Sequence, residues 1–178
     1  MQNLDSSSSP AGAAQPPDAD ALNLQMITQQ MRDNQNLSLA VLGGAGAAVV
    51  GAVIWAVITA VTHYQLGIMA IGVGFLVGFA VRILGRGITP TFGVIGAVLS
   101  LVGCAIGNFL ASAAFYAEQE KISVFDVLKA VDFQTALDVM VQTFDPVDAV
   151  FYAIAVYYGY KNSFKTPAVA DLDSTAAR

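Results

Sequence analysis

The sequence predicts an all-α, polytopic helical membrane protein, and three observations carry that prediction. Between Asn34 and Ala117 the only formal charges are Arg82 and Arg86. Across the chain 56% of residues are hydrophobic and 12% are charged, against roughly 25% charged in ordinary soluble domains. Short polar breaks cut the uncharged stretch into pieces whose length matches a bilayer crossing.

The elements follow in order. Residues 1–23 are Ser, Pro, Ala and Asp with little to bury, so a disordered tail is expected. No basic stretch precedes an apolar run there, and no cleaved signal peptide is expected. Leu24, Ile27 and Met31 recur at helical spacing and predict a juxtamembrane helix within 24–38. The first span is expected over 39–61, whose uncharged residues at ~1.5 Å each exceed a hydrocarbon core of ~30 Å. Thr62-His63-Tyr64-Gln65 is short and polar, fit only for a tight turn. The second span is expected over 66–84, apolar until Arg82, whose long stem reaches the headgroups. Gly85-Arg86-Gly87 forms the next turn.

Thr89-Pro90 has the form of a helix start, cap then proline, and opens a third span over 90–116. These three spans are long and rich in glycine. Residues 123–144 then interleave Val124, Val127, Leu128, Phe133, Leu137 and Val141 with Asp126, Lys129, Asp132 and Asp138. That pattern predicts one or two amphipathic helices, interrupted near Asp132. Asp145-Pro146 is a second start signal, and Asp148 places a negative charge in the first turn, where the dipole favours it. The helix it opens supplies a fourth, shorter span over 146–163; the alternative is a helix lying at the interface. Residues 165–178 are expected to be a disordered tail.

Orientation follows from the basic residues. With four crossings, Arg32, Arg82, Arg86, Lys161 and Lys165 share one side, and Lys121 and Lys129 the other. The larger group belongs in the cytoplasm, which puts both termini there. With three crossings the bias reverses.

Small residues recur every four positions on each long span: Gly43, Ala47 and Gly51; Ala70, Gly74 and Gly78; Gly103, Gly107 and Ala111. Lipid supplies little hydrophobic force between helices, so close backbone approach drives their association. These faces are read as helix-packing surfaces, with a homo-oligomer seam or a glycine-lined pore as alternatives. Arg82 continues the second-span face and is read as snorkelling. Gly96, Ser100, Cys104 and Asn108 form a polar line on the third span, suited to interhelical hydrogen bonds or to a hydrated path.

No catalytic constellation is expected. His63 is the only histidine, with Asp33 and Glu118 its nearest acids in sequence. A metal site needs several ligands and a triad needs an orienting acid, so His63 is read as an interfacial residue. Cys104, alone and among apolar neighbours, is read as an inert buried thiol. Tyr152, Tyr157, Tyr158 and Tyr160 are read as an aromatic belt. The glycine runs lack the lysine of a phosphate-binding loop. Few basic residues argue against nucleic acid, and no cofactor, metal or small-molecule substrate is indicated.

Thr62–Leu110 and Phe144–Phe164, especially GxGFLVGxAVR at Gly72–Arg82 and DxxFYxxAxYxGY at Asp148–Tyr160, resemble a family of small, uncharacterised multi-pass bacterial inner-membrane proteins. The resemblance covers residues 44–164 and implies a multi-pass inner-membrane fold without any activity or cofactor. In that family varied soluble extensions precede the first span, whereas a disordered tail is expected at that place here. The sequence as a whole points to a structural or accessory membrane component that associates with itself or a larger complex. The alternative is a small oligomeric channel whose path is lined by Ser100, Asn108 and Arg82.

Overall fold

The computed structural model describes residues 19–64 and 67–165. Residues 1–18, 65–66 and 166–178 lie outside it, and with them most of the two tails expected to be disordered. Among the described residues there are seven helices and no strand. They fall into two units, residues 31–166 and the remainder.

Helix α1 spans Ala19–Asp33. It begins inside the segment expected to be disordered and ends before the expected limit at 38. Its last turn carries Arg32, favourable at a helix C-terminus. Leu22 and Met26 are exposed on it.

The larger unit is a four-helix bundle with two short helices attached. Helix α2 (Leu37–Thr62) starts where the Asn36 side chain accepts from Leu39 N at 3.0 Å, satisfying one of the orphan donors of a helix start. It ends on His63 in the left-handed region, whose N–H returns to Thr59 O at 2.9 Å. Helix α3 (Met69–Gly85) is 17 residues long, shorter than the expected 66–84 span. Gly67 and Ile68 form a turn that occupies the difference, with Ala70 N on Gly67 O at 3.0 Å.

Helix α4 (Pro90–Gln119) is the longest element at 30 residues. Thr89 holds its N-cap position, but its hydroxyl makes no cap bond and donates instead to Gln35 Oε1 at 3.2 Å. Helices α5 (Val124–Ala130) and α6 (Phe133–Thr143) divide at Asp132, which caps α6 by accepting from Thr135 N at 2.8 Å. Helix α7 (Pro146–Asn162) opens on a reciprocal capping box. Asp145 accepts from the first turn, and Asp148 Oδ2 accepts from Asp145 N at 3.1 Å.

Helices α2 and α4 are long and apolar enough to cross a membrane. The pair α6 and α7, bent by 105°, passes the same test only when taken together, as a broken span or a re-entrant loop, and α3 is a shorter apolar helix. Within the bundle α3 and α4 touch each other and are flanked by α2 on one side and α7 on the other. The helices alternate in direction. Asn36 N donates to Gly85 O and Lys165 N to Gly87 O, both at 3.0 Å. These bonds gather the start of α2, the end of α3 and the segment after α7 at one end.

At the opposite end His63 meets Glu118, and a Cβ at Gly67 would lie 2.6 Å from the Phe151 ring. The core combines Ala40, Ala48, Trp55, Val73, Val77, Val81, Phe92, Cys104, Ala111 and Ala155. Apart from Trp55 and Phe92 these are small or β-branched, which is how four backbones can approach so closely.

Candidate functional site

The chemistry-bearing residues of the spans converge where α4 meets α7 and α3. Ser100, Cys104 and Asn108 lie on the buried face of α4 at 0%, 0% and 3% exposure, as their four-residue spacing requires. Ser100 abuts α7 at Gly159: a Cβ there would lie 2.9 Å from Ser100 Cβ and 2.8 Å from Gly96 O. Ser100 Oγ has no hydrogen-bond partner. Cys104 Sγ donates to Ala70 O of α3 at 3.6 Å. Tyr152 Oη donates to Cys104 O at 3.3 Å, and the Asn108 amide is a second partner of that hydroxyl. Ser163 Oγ folds back onto Gly159 O.

Each helix-packing candidate has an identifiable neighbour. Gly43 meets Leu84, and Gly51 lies against Val73. Ala47 packs at the margin of the core, while Ala70 and Ala111 are fully buried in it. Gly74 faces the Ala155 backbone, and Gly78 faces Asn162 and the carbonyls of Tyr158 and Gly159. Gly103 is wedged between Val73 and Ala48, and Gly107 lies under the Trp55 indole.

The α7 side of this contact was missed in the sequence, where its tyrosines drew the reading. The signal was present: Ala155, Gly159 and Ser163 repeat the four-residue spacing of small residues, and all three are buried. Tyr152 belongs to the core margin rather than to an aromatic belt. Tyr157, Tyr158 and Tyr160 are on the exterior, with Lys161 Nζ 5.6 Å above the Tyr157 ring.

Arg82 does not join Ser100 and Asn108. It is exposed at the end of α3, where it lines a cavity of about 340 Å³ with Arg86 and Lys165. The His63 reading also changes. The fold brings Glu118, 55 positions away, to 3.0 Å from His63 Nδ1. Both side chains are about half exposed, and such surface pairs contribute only about 0–1 kcal/mol. Among the described residues no group of acids, histidines or cysteines is arranged to hold a metal.

A second feature was invisible in the sequence. A cavity of about 860 Å³ opens between the later half of α4 and helices α5 and α6. Phe109, Phe115, Tyr116, Val127, Val131 and Val139 wall it. Only Ala113, Ala117 and Val127 form a buried cluster there, and α6 has no buried residue.

No family model, no curated protein and no solved structure matches this chain.

Proposed function

We propose that the chain is a multi-pass inner-membrane protein of the bacterial kind its motifs resemble, acting as a structural or accessory component rather than an enzyme. In this reading α2, α3, α4 and α7 all cross, and both termini are cytoplasmic. The shorter helices, at about 25 Å each by helical rise, cross with the help of bilayer thinning and flanking residues that snorkel. Support comes from the alternation of helix direction, which gathers Arg82, Arg86 and Lys165 at one end, as the charge rule favours.

The observation that carries the accessory role is the enclosure of every polar group on the α4 line. Ser100 is shut against Gly159, Cys104 is bonded to Ala70, and Asn108 and Tyr152 are occupied with each other. What the bundle offers outward is apolar: Leu42, Val49 and Val53 on α2, and the stacked pair Phe75 and Phe79 on α3. Such faces suit lipid, a second copy or a larger membrane complex. The channel reading draws less support, because Arg82 lines a separate cavity at the bundle end.

Crosslinking of the full-length protein in native membranes, followed by affinity capture, tests the role. A discrete adduct with itself or with one membrane protein is expected. Monomer alone, together with solute flux in proteoliposomes that Asn108→Ala abolishes, would overturn it.

A further inference from the structure

We propose that the cavity between α4, α5 and α6 holds one acyl chain of a bilayer phospholipid, with the lipid's ammonium headgroup at Asp126. The cavity measures about 860 Å³, within the roughly 300–1,000 Å³ of pockets that bury most of a small ligand. Its walls are mostly apolar, with Phe109, Phe115, Tyr116 and Val131 among them.

The chain leaves this space open because of how α6 is turned. Phe133, Leu137 and Val141 form the apolar stripe of α6, and all three are exposed. Thr135, Val139 and Thr143 wall the cavity. They are offset from that stripe by two residues, about 200° around the helix. Helix α6 therefore directs its apolar stripe away from α4 and buries no residue against it. Only α5 closes part of the gap, through Val127 against Ala113 and Ala117.

The surface that the cavity adjoins identifies the occupant. Val94, Val98 and Leu101 are exposed on α4 at 56%, 55% and 47%. Phe109 and Tyr116 continue that face at helical spacing and are themselves walls of the cavity. The outward stripe of a crossing helix thus runs into the cavity, and an acyl chain reaches it sideways from the bilayer.

Charge selects the headgroup. Among the described residues that wall the cavity, Asp126 alone is charged; Lys121 and Lys129 are not among the walls. Asp126 sits in the first turn of α5, where the helix dipole favours an acid. That role leaves its carboxylate exposed, and among the described residues no ion pair engages it. A carboxylate at the edge of an apolar cavity favours an ammonium head and disfavours an anionic one. The later half of α4, on which the cavity is built, ends at Gln119, which is headgroup depth for a crossing helix.

This inference rests on the membrane reading above, and the test separates the two. The full chain, purified in detergent and stripped of lipid, is titrated with phosphatidylethanolamine, with phosphatidylglycerol and with palmitate. Native mass spectrometry reads the bound mass. One phosphatidylethanolamine is expected to be retained, about fivefold more tightly than phosphatidylglycerol. Asp126→Asn should remove that preference. Ala130→Trp and Val139→Trp add bulk at two walls, and each should weaken phosphatidylethanolamine about tenfold. Val53→Trp adds bulk on the exterior of α2 and should bind as wild type. Asp126→Asn, at an exposed position, carries the test if the wall variants do not purify as one species.

Full retention of the lipid in both wall variants would overturn the site, as would an equal loss in Val53→Trp. An unchanged headgroup ratio in Asp126→Asn would overturn the headgroup assignment. Palmitate bound as tightly as phosphatidylethanolamine would reassign the cavity to a free fatty acid and overturn the phospholipid. Alkaline extraction of wild-type membranes is the separate arm. Release of the protein would overturn the membrane reading itself, whereas a protein that stays in the membrane but retains no lipid overturns only the site.

Discussion

Replacing Gly74 by alanine should pull α7 away from α3, while the same change two residues earlier should not. A Cβ at Gly74 would lie 2.7 Å from Ala155 Cα and 2.8 Å from its carbonyl carbon, and closer still to the carbonyl oxygen. These are backbone atoms of a neighbouring helix, so relief requires the helix itself to move. Gly72 has nothing within 4 Å of the corresponding position. Overfilling a close-packed contact costs about 1–3 kcal/mol. Both substitutions regain about 0.8–1.0 kcal/mol of helix propensity, which cancels when the two variants are compared. Gly72→Ala should therefore be more stable than Gly74→Ala by about 1–3 kcal/mol. For a chain of this size that separates their melting temperatures by about 2–12 °C. Thermal unfolding in mild detergent, followed by helical circular dichroism, reads the difference. Coincident melting curves, or a higher midpoint for Gly74→Ala, would refute the reasoning.

Ser100→Ala should leave stability unchanged or raise it by up to about 1 kcal/mol, because a buried hydroxyl without a partner contributes only a desolvation penalty; the same melting assay checks this, and a clear loss would contradict it. Asp132 should hold the start of α6 in a pH-dependent way. Its hydrogen bonds to Thr135 lower its pKa below the ordinary 3.8, so its contribution is present above the ordinary value and is lost as pH falls through the depressed one. Faster hydrogen exchange at the Thr135 amide is expected on such acidification, and at neutral pH in Asp132→Ala.

The helices were legible in the sequence because their signals are local. Asp145-Pro146, Asp132 and the uncharged runs each announce an element from within a few residues. Asn36 is a cap of the same kind and explains why α2 starts two residues before the expected 39. The four-residue repeats of small side chains were legible too, since a repeat at that spacing marks one face of one helix. The partner of that face was not. Nothing in Gly74 says that Ala155 will stand against it, nor in Gly107 that Trp55 will cover it, because such pairings depend on helix order and rotation. Long-range electrostatics were hidden for the same reason. Sequence distance separated His63 from Glu118 and Lys165 from Arg86, and only the alternation of helix direction brought each pair of segments together. On α7 the tyrosines obscured the row Ala155, Gly159 and Ser163.

Topology mapping of the full chain tests the four-crossing bundle most directly. Reporter fusions after Gln65 and after Phe164 sample the two ends of the bundle, the first next to the His63 turn and the second next to Lys165. Four crossings place the first reporter outside and the second in the cytoplasm. A second reporter outside would mean that α3 or α7 fails to cross, and would contradict the arrangement.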